Sequence, residues 1–265
     1  MARLISGIEF TGSLGNLTAY KMRGTDKIVV RKKGGASKQR IKEDRAFLNT
    51  RRNNAEFSGR STASRYLMRM LYPLKALADY NIAGPLNALM KPVQELDNIS
   101  EFGERHVVLS KNPGIMEGFS LNRQTIFESV VRAPITCSIT RDTLSAEVTI
   151  PALIPDINFK PRRDYPVYNF QVVLGVVPDL FFSKQGYMPS HPDLEKAKVH
   201  FVESKWFPTA KGSEATTISL QRGAIVPKED FTIMLSIGIS YGMVTGSGSM
   251  EQAKYVGAAK VLLLS

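Results

Sequence analysis

The stretch FTIMLSIGISY, residues 231–241, decides the fold because it admits two readings. With Gly242 it closes on Gly238-Ile239-Ser240-Tyr241-Gly242, the G-x-S-x-G spacing of a hydrolase nucleophile elbow. That chemistry needs a strand-to-helix turn that strains the serine into exposure, then an acid and a histidine later in the chain. Here the pentapeptide lies inside an alternating pattern and runs into the Gly/Ser-rich Gly246 to Ser249, and the last histidine, His200, precedes it. The alternation decides: residues 231–241 predict a β-strand whose glycines relieve crowding or mark a bulge.

Outward from this strand the same period recurs. His106 to Ser110, Ile135 to Thr140, Leu144 to Ile150, Val167 to Val177, Lys198 to Ser204, Thr216 to Gln221 and Tyr255 to Leu264 all read as strands. Turn residues separate them, among them Pro155, Pro161 to Asp164, Pro178-Asp179, Pro189 to Pro192, Gly212-Ser213 and Pro227 to Asp230. Many strands without sizeable helices between them predict an antiparallel sandwich over residues 103–265.

Before residue 103 the pattern is helical. Ser37 is a candidate N-cap for a helix to about Phe57, ended by Ser58-Gly59. A second helix, from about Ser61 to Asp79, carries the stripe Leu67, Met70, Leu71, Leu74 and Leu77, with Pro73 as a kink or first turn. A third follows Gly84-Pro85. At the start, Leu17 to Lys32 predict a β-hairpin turning at Gly24-Thr25-Asp26, with further β-prone pieces at Leu4-Ile5 and Ile8 to Thr11. The expected plan is therefore α+β and mainly β. Residues 1–102 form a basic hairpin with two or three helices, and residues 103–265 an antiparallel, immunoglobulin-like sandwich.

Charge is concentrated at one end. Residues 1–75 hold 17 Lys/Arg against 5 Asp/Glu, whereas the other 190 residues hold 18 against 19, so the formal net charge of +11 comes entirely from the N-terminal part. On the hairpin lie Lys21, Arg23, Arg31, Lys32 and Lys33. On the first helix lie Lys38, Lys42, Arg45, Arg51 and Arg52, in part at three- and four-residue spacing that makes a cationic face. Arg forks match phosphate or carboxylate oxygens, and these ten side chains are the expected partner contacts. Lys33-Gly34-Gly35-Ala36-Ser37-Lys38 lacks Walker A spacing and reads first as a strand-to-helix turn with a Ser cap, with a phosphate contact from nucleic acid at the helix N-terminus as the alternative.

Other chemistry is sparse. Cys137 is the single cysteine, which excludes an intrachain disulfide and a thiolate metal cage. His106, His191 and His200 show no metal-ligand spacing. No catalytic, cofactor or metal site is expected. No uncharged apolar stretch is long enough to span a bilayer, and the expected location is the cytoplasm or a particle assembled inside the cell.

The chain resembles a family of uncharacterised bacterial proteins classed as a domain of unknown function. Gly7, Gly12, Gly15, Tyr20, Gly24 and Arg31 carry the likeness, with Val107-Val108-Leu109-Ser110-Lys111 leading to Gly118, and Ile237-Gly238-Ile239-Ser240 followed by Tyr255-Val256-Gly257. The resemblance implies a Gly-rich N-terminal segment, a helical region and an immunoglobulin-like sandwich, and it implies no activity. The Arg51-Arg52-Asn53-Asn54 segment departs from the family pattern.

Together these features predict a non-enzymatic structural or assembly protein, bacterial or phage, whose basic end contacts itself or another protein subunit. The alternative is sequence-tolerant binding of DNA or RNA through residues 20–75. A weaker alternative is carbohydrate or peptide binding on the sandwich loops near Tyr187 and Trp206. No membrane and no small-molecule substrate are expected.

Overall fold

The computed structural model describes residues 10–22, 25–196, 198–221, 229–246 and 248–265. The β-prone pieces expected within residues 1–9, Arg23 and Gly24 of the turn, and Pro227 lie outside the described residues. The chain divides into two compact units, residues 1–51 and 52–265.

The first unit holds a three-stranded antiparallel sheet, β1 (Gly12–Leu14), β2 (Leu17–Lys21) and β3 (Ile28–Lys32), in that order. The hairpin pairs Leu17 with Lys32 and Lys21 with Ile28, as its sequence predicts, and β1 adds an edge. Helix α1 (Lys38–Glu43) begins where Ser37 Oγ accepts the Arg40 amide at 3.2 Å. It stops at Asp44, whose backbone is extended and whose carboxylate accepts the Ala46 amide at 2.9 Å. A 3₁₀ turn, Arg45–Phe47, then leads into α2 (Leu48–Met70), whose fourth residue ends the first unit.

Two expectations about the helices change. The sequence predicts one helix from Ser37 to about Phe57, but Asp44 breaks it by capping a new start. It also predicts a stop at Ser58-Gly59, yet α2 runs straight through. Gly59 serves packing there: a Cβ would lie 2.5 Å from the Tyr187 ring. Pro73 opens a 3₁₀ segment, Tyr72–Leu77, at its first turn, where a missing N–H costs nothing. Helix α3 (Ala83–Glu95) follows.

The expected strand at His106 to Ser110 is reduced to one bridge between Val107 and Leu180, followed by a 3₁₀ turn at Leu109–Lys111. After the short α4 (Phe127–Val130) come β4 (Thr136–Thr140), β5 (Ser145–Ile150), β6 (Val167–Pro178), β7 (Leu180–Ser183), β8 (Gly186–Pro189), β9 (His200–Glu203), β10 (Phe207–Pro208), β11 (Thr216–Gln221), β12 (Phe231–Val244) and β13 (Met250–Leu264). A five-stranded antiparallel sheet has the order β10-β6-β12-β13, with β9 also on β6, and a three-stranded sheet has the order β11-β5-β4. The protein is α+β and mainly β.

The two sheets face each other, but the second unit has a further layer. On β12, Phe231, Ile233, Leu235, Ile237, Ile239 and Tyr241 pack with Val148 and Ile150 of β5 and Leu220 of β11. The intervening side of the same large sheet, through Val173, Val177, Met234, Ala259 and Val261, packs with Leu67, Met70, Leu71, Leu74 and Leu77. Alternation on a strand buried on both faces makes this layering possible. Glycine sets the spacing. A Cβ on Gly175 would lie 2.5 Å from Met70 Sδ, and one on Gly238 would lie 2.5 Å from Leu77 Cδ1. Each of these leucines and methionines is fully buried, which stabilises by about 1.5–3 kcal/mol apiece.

Candidate interaction site on the basic N-terminal unit

The described residues of the first unit form almost no interior. Among its described residues only Ala19 and Val30 are buried apolar side chains, on the same face of adjacent strands, and α1 buries nothing. Conversely, Leu14 is 66% exposed and its cross-strand partner Leu17 is exposed on the same sheet face, while Tyr20 is exposed on the opposite face and Met22 just beyond β2. Short sheets of this size need a packed face to be stable, so a sheet presenting these side chains to water is incomplete.

The expected contact residues separate into two groups. Several are committed within the chain. Arg51 Nη1 donates to the carbonyls of Ile41 and Asp44, both at 2.8 Å, and so bridges the break between α1 and the 3₁₀ turn. Arg52 donates to Glu101 Oε2 at 3.4 Å. Lys33 Nζ donates to the Gly15 carbonyl at 3.1 Å, which fastens β3 to the β1–β2 turn. Lys21 pairs with Asp26 at 2.8 Å, with both side chains mostly in water, so this pair adds little. The Arg31 guanidinium lies 5.5 Å from the Tyr20 ring centroid, across one sheet face.

The remaining cations face solvent. Among the described residues, Lys32, Lys38, Lys42 and Arg45 are exposed and make no ion pair. Arg23 lies outside the described residues. Asp44 sits among them with its carboxyl below the usual carboxylate range, because it accepts the Ala46 amide and then a bond from Arg40 at 3.1 Å. The unit as a whole carries 12 Lys/Arg against 4 Asp/Glu.

Elsewhere the motifs resolve into structure. Ser240 is buried in the middle of β12, donates to Asn169 Oδ1 and continues along the strand, so it makes no elbow. His106 Nδ1 accepts the Phe182 amide at 3.0 Å, while its ring meets Phe181 edge-on. His191 contacts the Glu229 carbonyl at 3.2 Å. No group of three His, Cys, Asp or Glu side chains among the described residues could hold a metal. Burial pushes the Cys137 thiol up, the wrong direction for a nucleophile. Tyr187 donates to the Arg105 carbonyl and accepts from Gln94 Nε2, both at 2.8 Å, and its phenol is pushed up to about 12 by burial. The Trp206 ring lies so close to Gly242 that a Cβ there would be 2.8 Å away. No helix among the described residues is long and apolar enough to cross a membrane.

Comparison with protein-family models, curated proteins and solved structures finds no match.

What sequence reading missed is the aliphatic part of the site. Leu14, Leu17 and Met22 look like ordinary strand residues, and only their exposure in the structure sets them apart.

Proposed function

We propose that this protein is a structural or assembly component that docks onto a protein partner through residues 10–51. The observation that carries the reading is the pairing of exposed aliphatic and aromatic side chains, Leu14, Leu17, Tyr20 and Met22, with the exposed cations Lys32, Lys38, Lys42 and Arg45 in one unit whose described residues bury only two apolar side chains. A partner of matching chemistry is acidic at its rim and apolar at its centre. The second unit, with a packed layer on each face of its large sheet, supplies the rigid body. A cellular filament or a phage-type particle fits such a component.

Binding of DNA or RNA is the second reading, favoured by the four exposed cations. Phosphate contact requires cations but gives no role to exposed leucines, so the protein partner ranks first.

The test replaces Lys32, Lys38, Lys42 and Arg45 together by Ala and measures both kinds of binding. The docking reading expects partner capture from the native source to fall at least tenfold, with weak dependence on salt beyond the rim charges. A wild type that captures no protein, but binds single- and double-stranded DNA with affinity falling steeply with salt, replaces it with the nucleic-acid reading.

A further inference from the structure

The second unit carries a surface of opposite character. Residues 95–104 contain Glu95, Asp97, Glu101 and Glu104 and no Lys or Arg; Lys91 pairs with Glu95 at 3.7 Å and Arg52 with Glu101 at 3.4 Å, both pairs largely in water and so weak. In the same ten residues Ile99 is 94% exposed and Leu96 is 53% exposed, with Phe102 also in water. A cavity of about 350 Å³ opens beside them, walled by Leu96 and Ile99 and by Val93, Val108 and Phe181, with Asp97, His106 and Lys111 also in its lining.

This surface is ordered. Asp97 Oδ1 accepts the amides of Ile99 and Ser100 at 3.1 and 3.0 Å, and Oδ2 accepts the His106 amide at 2.8 Å. Glu56 accepts the Gly103 amide at 3.0 Å from below, and Glu104 donates its amide to the Glu101 carbonyl at 2.9 Å. Ile99 is therefore held outward by a bonded loop, and a partner that covers it pays little ordering entropy.

Resting on the reading of residues 10–51 as a docking unit, we propose that its partner is a second copy of this chain. The basic unit of one copy seats on residues 95–104 of the next, with an apolar side chain of its sheet entering the cavity. Charge complementarity carries the argument. The basic unit combines exposed leucines with unpaired cations, and the loop combines exposed Ile99 and Leu96 with the carboxylate of Glu104 and the weakly paired, exposed carboxylates of Glu95 and Glu101. The two surfaces differ, so the contact is head-to-tail, and a pair of copies keeps one free surface of each kind. Such a contact closes into a ring or extends into a filament.

Two full-length variants separate the surfaces. The first carries Leu14→Ser, Lys38→Gln and Lys42→Gln. The second carries Ile99→Ser, Glu101→Gln and Glu104→Gln, all exposed positions outside the core. Light scattering should show wild type growing in mass with concentration and each variant alone at the mass of one chain. An equimolar mixture should stop at a one-to-one dimer, because only one competent pair of surfaces remains. Self-assembly of the second variant at the wild-type level overturns the proposal, as does a mixture that stays at one chain. A monomeric wild type that captures a different protein through its basic unit also overturns it, yet leaves the docking function standing. A wild type that does neither removes both.

Discussion

At the scale of single residues, the chain invests its strongest electrostatics in holding loops. Glu56 is buried and receives Arg105 through two bonds of 2.6 Å, besides the Gly103 amide. Burial alone would raise its pKa, but the Arg105 and Gly103 bonds outweigh that and bring it below its ordinary value of 4.5. The ion pair therefore stabilises fully above that ordinary value, and its contribution fades as pH falls through the lowered one. Glu56→Ala strands Arg105 and should cost about 3 kcal/mol at pH 7 in denaturant unfolding. Glu56→Gln should cost less, and its deficit against wild type should shrink as pH drops below 4.5. A deficit constant from pH 7 to pH 3 would show that the carboxylate charge is not what the fold uses.

At the scale of elements, the strands were readable because a period of two is set by local geometry. Thr216–Gln221 and the Leu17–Lys32 hairpin form where alternation and turn residues place them. The failures share one cause, since they depend on contacts distant in sequence. Gly59 looks like a helix breaker because a neighbour from residue 187 is invisible in a local window. Residues 106–110 alternate like a strand, but they find only the Leu180 bridge to pair with. The same reasoning makes Gly59→Ala informative. Alanine improves helix propensity by about 1 kcal/mol, whereas the collision with Tyr187 costs about 1–3 kcal/mol and loosens the Gln94 bond. The melting temperature should fall. A rise would mean that Tyr187 can swing aside without loss, and that Gly59 is not a packing residue.

At the scale of the whole molecule, charge asymmetry was plain in the sequence, but its role was not. A count of lysines and arginines cannot tell Arg51, which bonds two backbone carbonyls, from Lys38, which stands in water. Nor does it show that Leu14 and Tyr20 share the cationic unit as exposed surface. With those distinctions the described N-terminal part is an ordered unit with apolar and cationic side chains exposed together, which the docking proposal takes as one half of an interface. Exposed rim charges should set its association rate and salt response, and the leucines its lifetime. The most direct measurement is the light-scattering mass of the full chain purified from its native source, beside a Leu14→Ser, Tyr20→Ser variant. Docking through residues 10–51 predicts a wild-type mass well above the 29.4 kDa of one chain, falling to that value in the variant. A mass of 29.4 kDa for both proteins would contradict it.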